Sequence, residues 1–165
     1  MSMPSVSSGA IVALIVALTL CPAYPSQAQT LRKPVHDKSD KAVHHLLIQV
    51  DQNDPAVMNL ALNNATNIIE YYRSKGKDVA VDVVTYGPGL HMLRADTSPV
   101  QDRIKQLKNF AFPSTIQFSA CNVTREGMEK KEGHPIDIMS DAVIVPSGVI
   151  HLMESQENGW SYIRP

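Results

Sequence analysis

The sequence is first narrowed by what it lacks. It has no excess of positive charge, since fifteen Lys and Arg stand against sixteen Asp and Glu, and no basic run or stripe stands out. Nucleic acid is therefore not an expected partner, because such binding rests on clustered cations that neutralise phosphates. Six histidines are present, but no pair has the i, i+4 or other spacing of metal ligands, so no metal and no cofactor is expected. Neither a Ser-His-Asp arrangement nor a paired-carboxylate motif can be read. Ser147, between Pro146 and Gly148, lacks the flanks of a nucleophile elbow and reads as a helix cap. Gly87-Pro88-Gly89 is too short for a dinucleotide or triphosphate loop and reads as a tight turn. Its glycines imply close approach of backbone to something, such as a neighbouring subunit or a small anion.

Long hydrophobic runs are also missing. Residues 10–20 (AIVALIVALTL) fall short of the roughly 20 apolar residues of a membrane-spanning helix, so no integral membrane domain is expected. The run is instead of signal-peptide length, although no Lys or Arg precedes it. Pro22 and Pro25 follow, and the small Ser26 and Ala28 fit cleavage after Ala28, giving a signal peptide of 1–28 and an exported, periplasmic protein. Lipidation at Cys21 is not expected, because Leu20 sits where a small residue is wanted. Cysteine is scarce, with two in 165 residues, and cleavage would remove Cys21. Cys121 would then be alone in an oxidising compartment: buried and inert, joined to another chain, or kept for reaction.

What is present is the mix of a folded domain, 44% apolar and 19% charged, with about 135 residues left for one core. Residues 29–41 are polar and aperiodic, a linker or loose arm, and 42–165 form the domain. Leu46-Leu47-Ile48 is apolar on both parities, as in strands buried on two faces, so 42–50 is the first strand, with His44 and His45 on opposite faces. Asp54-Pro55 starts a helix to about Lys75, with Ala61, Ala65, Ile68 and Tyr72 on one face and Met58, Leu62 and Ile69 beside them. Strands follow at 79–85, 115–120 and 142–145. Ser98-Pro99 opens the second helix, where Gln101 can complete a capping box and Val100, Ile104 and Leu107 face inward. A short helix over 123–131 closes at Gly133, another begins after Pro146-Ser147-Gly148, and 160–163 adds a terminal strand. This alternation predicts a parallel sheet with helices on both faces. Ligands in such sheets collect beyond the carboxyl ends of the strands, where Gly87-Pro88-Gly89, Cys121-Asn122 and Pro146-Ser147-Gly148 all leave.

A cysteine at a strand end before a helix meets free N–H groups and the positive end of the helix dipole, which favour thiolate. Asn122 and Thr124 can cap that helix, and Arg125 is the nearest cation. His91 follows the glycine loop at the same sheet end and could serve as a base. The competing reading is a cysteine that merely packs, as free cysteines often do. The glycosylation patterns at Asn64 and Asn122 fall in a helix and beside the cysteine, and are read as chance.

Four segments carry a resemblance: Val84-Thr85-Tyr86-Gly87-Pro88-Gly89-Leu90, Phe118-Ser119-Ala120-Cys121-Asn122-Val123-Thr124, Val145-Pro146-Ser147-Gly148-Val149 and Gly159-Trp160-Ser161-Tyr162-Ile163. Together, over roughly residues 41–165, they resemble the DsrE/DsrF-like proteins of sulfur relay, exported branch. The resemblance implies a flavodoxin-like α/β three-layer sandwich with a mostly parallel sheet of about five strands, in a homo-oligomer. It implies that Cys121 accepts a sulfane sulfur as persulfide and exchanges it with a donor or acceptor protein, while Gly87, Gly89, Asn122, Pro146 and Gly148 shape the pocket. The alternative function is a non-catalytic small-ligand or subunit-binding module of the same fold.

Overall fold

Two-sided apolar strands need cover on both faces, and a computed structural model, which describes residues 44–165, shows how it is provided. The expected signal peptide, the arm and Cys21 lie outside the described residues. Strands β1 (His44–Val50), β2 (Val79–Thr85), β3 (Thr115–Cys121), β4 (Val143–Val145) and β5 (Ser161–Ile163) form one sheet in the order β4-β3-β2-β1-β5. Every neighbouring pair is parallel. Helices α1 (Pro55–Ser74), α2 (Gln101–Ala111), α3 (Asn122–Glu132) and α4 (Gly148–Glu157) connect them, with a 3-10 helix at Gly87–Leu93.

The chain steps from β1 to β4 in one direction and then returns across the whole sheet to β5. Crossovers between parallel strands are right-handed, so the first three connections must cover one face and the last the other. The packing agrees. On one face Ile48, Val81, Val83 and Phe118 bury against Met58, Leu62 and Ile69 of α1 and Ile104 and Leu107 of α2. On the other, Leu47 and Val84 meet Leu152 of α4, with Tyr86 and Trp160 against them. The adjacent histidines divide as the strand period requires. His44 stacks on Tyr72 of α1 at 4.0 Å, and His45 lies against Trp160 at 4.8 Å. The result is the three-layer α/β architecture of flavodoxin-like proteins, with all strands parallel.

Local signals account for most boundaries. Asp54 accepts from the Ala56 N–H at 2.7 Å with Pro55 behind it, and Gly133 ends α3 in the left-handed region at φ 78°. Two expectations are revised. Helix α2 starts at Gln101 without a side-chain cap: Gln101 donates to the Ala95 carbonyl at 2.8 Å, and the Ser98 hydroxyl, which donates to the Met92 carbonyl, accepts from the Val100 N–H at 3.4 Å ahead of the helix. The glycine loop is not a simple turn but the opening of the 3-10 helix. What it approaches is this chain's own backbone, since a Cβ on Gly89 would lie 2.2 Å from the Val50 carbonyl oxygen.

Candidate functional site around Cys121

Strands β3 and β4 are neighbours, yet the helix after β3 leaves to one face and the helix after β4 to the other. Such a reversal opens a crevice beyond the carboxyl ends of the two strands. Cys121 is the last residue of β3 and pairs with Val145, the last of β4. Phe118 and Ala120 point into the larger core, so alternation turns Ser119 and Cys121 toward the α4 layer. There the free thiol is 4% exposed.

Two helix starts meet at the sulfur. Cys121 occupies the cap position of α3, and Gly148 is the first residue of α4. Burial is the largest single influence and pushes the thiol up. The Thr124 hydroxyl and the backbone N–H groups of Gly148, Thr124 and Val123 act against it, and the balance lies below the ordinary cysteine value. These are the unpaired donors every helix start presents. Thr124 also accepts from the Gly87 N–H at 2.9 Å. A hydroxyl has one hydrogen and two lone pairs, so this bond leaves its hydrogen for the sulfur.

The three loops named from the sequence therefore converge. Gly87 is tied to Thr124, and Gly148 stands against Cys121 and Tyr86. Ser147 caps α4, accepting from the Ile150 N–H at 3.5 Å, and Pro146 leads into it, exposed. Asn122 does not cap α3. Its amide donates to Glu126 at 2.8 Å and accepts from Arg125 at 3.1 Å. His91 shares a 3-10 helix with Gly87, but its Nδ1 is bonded to the Thr97 hydroxyl at 2.8 Å. It lines a surface cleft of about 380 Å³ with Gly87, Pro88 and Thr124. A second groove of about 500 Å³ runs past Tyr86, Val149, Met153 and Tyr162. The Tyr86 phenol there is pushed up by burial and then by Asp51.

Sequence reasoning missed a buried polar network behind the thiol. Asp82, 2% exposed, accepts from Ser119 at 2.8 Å, Gln117 at 3.1 Å and His151 of α4 at 2.8 Å. The available signal was an acidic residue inside the apolar run Val79-Ala80-Val81-Asp82-Val83-Val84, since buried carboxylates are rare unless partnered. His151 seemed isolated because its partner is 69 residues away. Among the described residues no group of three or more His, Cys, Asp or Glu could hold a metal ion, and no helix is long and apolar enough to cross a membrane.

Fold and site together define a parallel α/β domain with a buried cysteine at a sheet switch point. The chain matches no protein-family model and no curated protein. Among solved structures it is similar to MTH1491 from Methanobacterium thermoautotrophicum, described as a protein of unknown function. The identity is 27% and the TM-score 0.61, over 74% of this chain and 99% of that one.

Proposed function

We propose that this chain is a sulfane-sulfur carrier of the DsrE/DsrF-like type, exported and acting as a homo-oligomer, with Cys121 as the carrying residue. The Cys121 thiolate attacks the outer sulfur of a persulfide or polysulfide donor. One S–S bond forms as another breaks, the donor leaves as a thiolate, and the sulfur remains as the Cys121 persulfide. An acceptor thiolate then takes the outer sulfur and restores the Cys121 thiolate, so no external oxidant or reductant enters. The observation that carries this reading is the pair of helix starts facing one sulfur. Their N–H groups favour an anion despite burial, and a persulfide anion has the same need.

A second reading has its own support. At 4% exposure, Cys121 also fits a cysteine that packs beneath the loops of a binding module. Intact-mass analysis after treatment with inorganic polysulfide, with Cys121→Ser as control, separates the two. Addition of sulfur confined to Cys121 and reversed by a small thiol is the expected result. A Cys121 that stays unmodified and resists alkylation in the folded protein overturns the carrier reading and leaves the binding module.

A further inference from the structure

Helix α4 is thinly anchored. Gly148 and Leu152 are its only buried residues, and Leu152 belongs to a buried cluster of three residues. Val149, Ile150 and Met153 are 55%, 47% and 49% exposed. Among the described residues, the one side-chain hydrogen bond from α4 to the sheet is that of His151 to Asp82 at 2.8 Å. As a carboxylate Asp82 can only accept, so Nε2 of His151 carries the hydrogen.

The two elements match in register. Gly148 and His151 are three residues apart and share a face of α4. Ser119, bound to Asp82, and Cys121 are two apart and share a face of β3. Gly148 therefore lies over Cys121 while His151, one turn on, reaches the Asp82–Ser119 pair. We propose that His151 and Asp82 are a positioning pair that holds the first turn of α4 over Cys121, keeping the Gly148 N–H aimed at the sulfur. This rests on the reading of Cys121 as the carrying residue, and it adds two residues that never touch the transferred sulfur.

The test is the pH dependence of Cys121 alkylation by iodoacetamide, read by peptide mass in the folded full chain. His151→Leu removes the donor while Asp82 keeps Ser119 and Gln117, and His151→Gln restores an N–H donor. The expected result is a wild-type midpoint below the ~8.5 of a free thiol. His151→Leu should move it up by about half a pH unit or more, with His151→Gln returning most of the shift. Should His151→Leu not fold by circular dichroism, His151→Met, which also lacks the N–H donor and leaves the charge of Asp82 in place, decides by the same upward shift. A low wild-type midpoint that a folded variant leaves unmoved overturns the positioning pair alone. An ordinary wild-type midpoint overturns both it and the carrier reading.

Discussion

Gly148 and Cys121 are packed so closely that a methyl group on the glycine would stand 3.3 Å from the cysteine Cβ and 3.1 Å from that of Tyr86. Two effects of Gly148→Ala oppose each other. Replacing glycine at an unstrained position stabilises by about 0.4–1 kcal/mol through the unfolded chain, whereas crowding a packed contact costs about 1–3 kcal/mol. A shift of a few tenths of an ångström by the end of α4 relieves most of the crowding. The expected outcome is a stability change within about 1 kcal/mol of wild type together with a higher alkylation midpoint at Cys121. Urea unfolding and the alkylation profile check the two parts separately.

Gly89→Ala should behave differently. Its Cβ would fall 2.2 Å from the Val50 carbonyl oxygen and 2.8 Å from the Asp51 Cα, both backbone atoms at the end of β1, an inner strand of the sheet. No rotamer change can relieve that contact. A loss of more than about 3 kcal/mol is expected, in the range reserved for severe overpacking. A chain that keeps wild-type stability in urea would show that the 3-10 helix can lift off the strand end.

The contrast between these glycines marks what the sequence could reveal. Glycine beside proline after an apolar strand announces a special backbone position, but not whether its neighbour is a ligand, another subunit or the chain itself. The sheet was legible because Leu46, Leu47 and Ile48 fill both parities, and its parallel order because helices alternate with strands. The sulfur's position at a strand end was legible for the same reason. Its chemistry was only half legible: the α3 start adjoins Cys121 in sequence, while Gly148 comes from a helix 27 positions on, placed by the return crossover to β5. Asp82 and His151 were illegible as a pair because nothing local links a strand acid to a helix histidine so far away.

Arg94 shows the same long-range dependence and leads to an acid-stability prediction. It is 2% exposed and donates to Asp96 at 2.7 and 2.9 Å and to Glu132 at 2.7 and 2.9 Å, joining the end of the 3-10 helix to α3. Its hydrogen bonds hold Asp96 down to about 2, and Glu132 is also lowered. A carboxyl group depressed in the folded state contributes stability that is present above its unfolded value, near 3.8 for Asp96, and lost as pH falls through its folded value. Wild type should therefore lose stability between about pH 4 and 2. Arg94→Met should be less stable at neutral pH and show a flatter acid slope. Urea midpoints across that range test this, and parallel slopes would remove Arg94 as the cause.

Cys121 supplies the corresponding prediction at alkaline pH. Its thiol lies below the ordinary cysteine value in the folded chain, where burial is outweighed by the Thr124 hydroxyl and the N–H groups of Gly148, Thr124 and Val123. Between the folded and unfolded values the unfolded chain binds more protons, so stability rises with pH there and the gain is complete above the unfolded value. As pH falls through the folded value the contribution disappears. Wild type should thus gain stability over Cys121→Ser on going from neutral pH to about pH 9.5, as the difference between their urea midpoints. The sign follows from the direction of the shift alone, so the experiment needs no sulfur donor and no partner. If the two proteins kept a constant difference across that range, the helix starts would not be favouring a thiolate, and the carrier reading would lose the observation on which it stands.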